Sequence, residues 1–158
     1  MIPLKEAAAA FLASRRIAVT GVSPRPRGHG ADPVYRRLRE RGYDVFAVNP
    51  REPKLGDRPC FSSLSDIPGG VDALVIADAP ELTEATMREC VQIGVRQVWM
   101  HRALGTDSVC AEATAYGRSH GVTVIDGGCP LMFAPLADLE HRICRHLLAY
   151  SGKIPKSV

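Results

Sequence analysis

Gly42-Tyr-Asp-Val-Phe-Ala-Val-Asn-Pro50 sets the rule for this chain: a glycine, a short run rich in valine and other apolar residues, then turn chemistry. The same rule governs Gly70-Val-Asp-Ala-Leu-Val-Ile-Ala-Asp78, Gly94-Val-Arg-Gln-Val-Trp-Met-His101 and Gly121-Val-Thr-Val-Ile-Asp-Gly-Gly128. A fifth run, Arg16-Ile-Ala-Val-Thr-Gly-Val22, precedes them. The cores of these runs are nearly continuously apolar, as strands buried on both faces of a parallel sheet must be. Each leading glycine suits the left-handed position that closes a preceding helix.

Between the runs the apolar period changes to that of a helix. Asp32 followed by Pro33 predicts an N-cap and first-turn proline, with Val34 and Leu38 sharing a face. Thr83, Met87, Cys90 and Val91 predict the buried stripe of a second crossover helix. Asp107 is expected to cap a third, in which Val109, Ala113 and Tyr116 align. A last helix near Asp138 to Ser151 places Leu139, Ile143, Leu147 and Tyr150 together. Strands alternating with helices imply right-handed crossovers. The expectation is a Rossmann-like α/β fold: a doubly wound, parallel, five-stranded sheet with helices on both faces, in three α/β/α layers. One domain is expected over 1–158, with an N-terminal helix over 1–14 and a C-terminal helix over 136–151 packing on the sheet. Pro50 to Gly70 reads as a loop with at most a short helix.

Composition narrows the function. The 158 residues suit one domain with a real core, and 46% hydrophobic against 23% charged residues is ordinary for a soluble chain. Twenty basic and 17 acidic residues leave a net charge of +3, too mild to argue for nucleic acid. No apolar run approaches the roughly 20 residues that span a bilayer. Residues 2–13 carry Lys5 and Glu6 and read as an amphipathic helix, not a targeting segment. Five scattered cysteines with no Cys-x-x-Cys pair read as reduced thiols in the cytoplasm.

In a doubly wound sheet, ligands sit outside the carboxyl ends of the strands, where strand order reverses. The first such loop, Gly21-Val-Ser-Pro-Arg-Pro-Arg-Gly-His-Gly-Ala31, has the makings of a phosphate cradle. Gly21, Gly28 and Gly30 permit close backbone approach, the helix end offers free N–H groups, and Arg25 and Arg27 add positive charge. It is neither a P-loop nor a Gly-x-Gly-x-x-Gly fingerprint; the plainer reading is a flexible connection. After the second strand, a dinucleotide site places an acid to bond the ribose. Here Asn49, Pro50 and Arg51 follow, then Lys54, which favours an additional phosphate such as coenzyme A or NADP carries. An Asn-Pro turn with solvated basic residues is the alternative.

Met100 and His101 end the fourth strand on the same edge, and His101 and Arg102 are candidates for positioning a ligand. Tyr35, on the crossover helix, is placed to reach the ligand loop. Cys129, in Gly127-Gly-Cys-Pro130, is the one nucleophile candidate, set against a buried inert thiol. Cys129, His141, Cys144 and His146 invite a zinc reading, but His146 leaves the helix face shared by His141 and Cys144. Structural zinc prefers tighter pairs, so no metal is expected.

Five segments arrive in order: Val19-Thr-Gly-Val-Ser-Pro24, Pro33-Val-Tyr-Arg36, Gly42 to Pro50, Val98-Trp-Met100 and Asp126-Gly-Gly-Cys-Pro130. Together they resemble the bacterial coenzyme A-binding protein family, itself similar to the CoA-binding domain of succinyl-CoA synthetase α subunits. The resemblance implies CoA lying across Val22, Ser23, Pro24 and Arg27, the Asn49-Pro50 turn, and Ala77, Asp78, Ala79 and Pro80 near the adenine. The chain departs from the family pattern in the longer Gly28-His-Gly-Ala31 loop. It also carries Asp78-Ala-Pro80 where relatives carry an arginine. The expected function is stand-alone binding of CoA or acyl-CoA without assembled catalytic machinery. An NADP-linked oxidoreductase, a Cys129-dependent acyl or thiol transferase, and a regulatory subunit remain alternatives. The partner is a small nucleotide ligand, with no nucleic acid and no membrane; a homo-oligomer or a protein partner stays open.

Overall fold

The computed structural model describes residues 1–24, 30–103, 105–152 and 154–158. Along the chain run α1 (Leu4–Leu12), β1 (Arg16–Thr20), α2 (Ala31–Glu40), β2 (Asp44–Val48), β3 (Lys54–Leu55), β4 (Arg58–Phe61) and β5 (Ala73–Ile76). Then come α3 (Pro80–Ile93), β6 (Gln97–Met100), β7 (Arg102–Ala103), β8 (Thr106–Asp107), α4 (Ala111–Ser119), β9 (Thr123–Asp126) and α5 (Leu139–Tyr150). Single 3-10 turns occupy Leu64–Asp66 and Pro130–Met132.

The sheet order is β3-β4-β2-β1-β5-β6-β9. Every pairing is parallel except β3 with β4. From β1 the chain builds outward through β2 and β4, then returns to lay β5 on the other flank. The crevice between the ends of β1 and β5 is therefore the switch point. This is the Rossmann-like, three-layer α/β/α architecture. Its sheet has seven strands, not five, because the stretch read as a loop supplies two. In β4, Cys60 and Phe61 align with Ala47 and Val48 of β2, and β3 closes the edge with Lys54 opposite Pro59. Strands of two and four residues, one carrying a proline, are too short to show a period. Pro59 is tolerated in β4 because it is paired only with the two-residue β3, the parallel register with β2 beginning at Cys60.

Alternation divides the core between the two faces. Ala73 and Val75 of β5 and Trp99 of β6 join the cluster beneath α1 and α2; Leu74, Ile76, Val98 and Met100 join the one beneath α3 and α4. Trp99 is fully buried, edge-on to Phe11 and Phe133 with ring centroids 5.4 Å from each, and its indole N–H donates to Gly127 O at 3.0 Å. Such aromatic pairs add about 0.5–1.5 kcal/mol each beyond their buried area.

Three local expectations are corrected. Asp32 lies inside the first turn of α2, not at its cap, and its carboxylate accepts from Ser23 N at 3.2 Å. Asp107 does not cap α4, which begins at Ala111; it closes its own turn by accepting from Val109 N (2.9 Å) and pairs with Arg102 across the β7–β8 hairpin. The apolar stripe of α5 points outward: Leu139, Ile143, Leu147 and Tyr150 are 73%, 53%, 66% and 97% exposed, whereas Leu148 is buried. Asp138 fixes this rotation. Its carboxylate caps His141 N at 2.9 Å and accepts from Arg37 of α2, which also donates to Leu136 O.

Candidate functional site

At the switch point lies a crevice of about 460 Å³ bounded by the turns after β1, β2 and β5 and by the first turn of α2. Gly21 begins it. Its φ is +75°, and a Cβ there would stand 2.7 Å from Ala77 O, so the ends of β1 and β5 approach closely only because this residue is glycine. Gly21 N also donates to Val48 O at 3.0 Å, which joins three strand ends at one point.

Asn49 holds the next wall. Its amide donates to Val22 O at 3.0 Å, and its side-chain oxygen accepts from Arg51 N at 3.0 Å. The residue expected to meet a ligand is thus engaged in clamping the first loop to the second, and Val22 beneath it is 2% exposed. Arg51 lines the crevice, as do Ser23, Gly30, Pro50, Ala77, Asp78 and Ala79.

The charge balance is unexpected for a phosphate site. Asp32, Glu52 and Asp78 share the crevice with Arg51. Burial pushes the Asp78 carboxyl up from its ordinary range, opposed by a bond to Thr20 and by the Arg51 charge. A carboxyl in that environment is suited to hydrogen-bonding a base edge more than to facing a phosphate. Among the described lining residues, positive potential comes from Arg51 and from the amide end of α2. Arg25 and Arg27, with Gly28, lie outside the described residues.

Other expected residues sit elsewhere. Lys54 is exposed at the sheet edge, and Pro80 opens α3; neither lines the crevice, nor does Pro24. Tyr35 is buried in the core with the Arg39 guanidinium over its ring. Met100 is fully buried on the α3/α4 side, its sulfur accepting from the Thr114 hydroxyl. Both were placed by their nearness to a strand or helix end, and side-chain direction removes them. Conversely Asp32, read only as a helix cap, and Glu52, Leu82 and Thr106 line the crevice without having been candidates for the site. Thr106 is carried in by the β7–β8 hairpin, whose two-residue strands leave no signature in sequence.

His101 and Cys129 belong to a second cavity, of about 420 Å³, between α2, the turn at 130–132 and α5. His101 is 2% exposed; burial lowers its pKa to about 4, so the ring is neutral near pH 7. Its Nδ1 stands 3.5 Å from Thr106 Oγ1. Cys129 is 4% exposed, and burial pushes its thiol up to about 12. That is the environment of an inert thiol, not of a nucleophile. Cys144 and His141 line the same cavity, but His141 is occupied by Asp138 at 2.7 Å and His146 is not among the lining residues.

Comparison with known proteins identifies the family. A family described as "CoA binding domain" matches residues 15–135. The α subunit of an ADP-forming acetate–CoA ligase II from Pyrococcus furiosus is 35% identical over 89 residues, 56% of this chain but 19% of that protein. The chain thus spans about a fifth of that relative's length. An uncharacterized protein of Bacillus subtilis, YneT, is 28% identical over 116 residues, covering 73% of this chain and 82% of its own. Among solved structures, a hypothetical protein from Pyrococcus horikoshii superposes with a TM-score of 0.75 at 25% identity, covering 92% of this chain and 97% of that one. The chain belongs to the CoA-binding domain family.

Proposed function

We propose that residues 1–158 form one stand-alone module that binds coenzyme A or an acyl-CoA in the switch-point crevice and carries no catalytic machinery of its own. The observation that supports it most is the crevice itself, inside the family-matched residues, with a glycine-permitted close approach at Gly21 and Asn49 where a dinucleotide site would place an acid. In this reading the adenine lies against Ala77, Asp78 and Ala79. The phosphates lie over Ser23 and the first turn of α2, with Arg51, Arg25 and Arg27 supplying positive charge. The reading favours CoA over NAD. NADP shares the preference for an extra phosphate and is the rival to exclude. The burial of Cys129 weighs against a transferase that uses it as nucleophile.

Titration calorimetry of the whole chain with CoA, NAD and NADP tests the reading. CoA binding at least tenfold tighter than either dinucleotide is expected; tighter NAD or NADP binding would overturn it.

The exposed stripe of α5 supports a second copy of the chain as partner. Covering Leu139, Ile143, Leu147 and Tyr150 on two copies would bury roughly 1,200 Å², the lower edge of specific interfaces. The described cysteines are all free, in keeping with a cytoplasmic setting. Among the described residues no helix is long and apolar enough to cross a membrane.

A further inference from the structure

We propose that the cavity under α5 is an acyl chamber, so that the preferred ligand is a CoA thioester with an uncharged, apolar acyl group and not free CoA. This rests on the CoA reading of the neighbouring crevice. The two spaces adjoin: Gly30 lines both, and Thr106 of the crevice stands against His101 of the cavity. A ligand anchored by its nucleotide in the first is thereby brought beside the second at the start of α2.

The chamber has the chemistry of an apolar binding site. Val34, Leu131, Met132, Leu148 and Cys129 are buried residues of its wall. Its volume of about 420 Å³ falls within the range of small-molecule pockets, roughly 300–1,000 Å³. The wall that closes it comes from α5, which lies beyond the family-matched residues 15–135.

One polar group is placed inside. The His101 ring is buried, neutral near pH 7 and set beside Thr106 of the crevice. In the tautomer in which Nδ1 accepts from the Thr106 hydroxyl, 3.5 Å away, the ring proton is on the other nitrogen, which has no hydrogen-bond partner among the described residues. That N–H is a donor for a thioester carbonyl. The acyl group beyond it meets apolar wall, and Glu140 stands among the lining residues as a like charge against a dicarboxylic acyl group such as succinyl.

The test is calorimetry of the full chain with CoA, acetyl-, butyryl-, hexanoyl- and succinyl-CoA, repeated on Cys144→Trp, which fills the chamber from α5. In the unaltered protein, affinity should rise by about fourfold for each methylene that enters the chamber, and hexanoyl-CoA should exceed free CoA at least tenfold. Succinyl-CoA should gain nothing over CoA. Cys144→Trp should abolish the chain-length dependence while leaving affinity for free CoA within twofold. Binding of CoA without chain-length dependence in the unaltered protein would overturn the chamber and leave the CoA reading standing. Failure of every ligand to bind would overturn both. The series on the unaltered chain decides the matter even if the variant does not fold.

Discussion

Replacing Gly21 by alanine is the sharpest probe of how the crevice is built. Two costs apply. A non-glycine residue at φ +75° loses about 1–2 kcal/mol to the clash between Cβ and carbonyl oxygen. The new methyl would also stand 2.7 Å from Ala77 O and 3.1 Å from Ala77 C, both backbone atoms of the β5 turn, so strand ends must shift. With displaced ladder bonds the total reaches about 3 kcal/mol, a fall in melting temperature of roughly 6–12 °C for a chain of this size. Gly42 supplies the control: its φ is +83°, but a Cβ there meets nothing within 4 Å. Gly42→Ala should therefore cost only the backbone strain, about 1 kcal/mol or roughly 2–4 °C. Thermal and urea unfolding of both variants measure the difference, and CoA affinity should fall only for Gly21→Ala. Equal losses of stability in the two variants would refute the close approach of β1 and β5.

Arg27→Ala should weaken CoA about tenfold to a hundredfold, the loss of one charge-assisted hydrogen bond, with the melting temperature unchanged; calorimetry reads the first and unfolding the second. His101 titrates near 6.5 when unfolded and near 4 when folded, so its contribution is present above pH 6.5 and is lost as pH falls toward 4. The loss is on the order of 3 kcal/mol, and urea unfolding across that window should show it in the native chain but not in His101→Gln. Maleimide labelling of the native protein should modify Cys110 and Cys144 well before Cys60, Cys90 and Cys129; rapid labelling of Cys129, or a mixed disulfide there with oxidised CoA, would contradict its burial. Leu147→Glu should convert a dimer to a monomer in analytical ultracentrifugation without loss of CoA binding, and an unaltered mass would remove α5 from the interface.

The fold was legible where physical period and chain length cooperate. Five runs long enough to be buried on both faces read as strands, and all five are core strands of the sheet. The sequence was silent where pairing, not propensity, makes the strand: β4 exists because Cys60 and Phe61 complete the open side of β2. The two caps expected from sequence, Asp32 and Asp107, are claimed by Ser23 and by Arg102 with Val109, whereas Asp138, not read as a cap, caps α5 while also accepting from Arg37.

The α5 stripe is the instructive miss, because its period was read correctly and its direction was not. Leu139, Ile143, Leu147 and Tyr150 do share a face, but spacing states only that a face exists, not which neighbour it meets. Direction was decided by polar anchoring at one end, where Asp138 ties the first turn to Arg37, and by a single leucine, Leu148, seated in the core. The same rotation turns Cys144 and Leu148 toward Cys129 and Val34 and so shapes the second cavity. Turning the stripe inward would fill that cavity with Ile143 and Leu147 and leave no apolar face for a partner. The chamber and the exposed stripe are therefore two results of one helix orientation. A change at Asp138 that frees the helix should disturb both together.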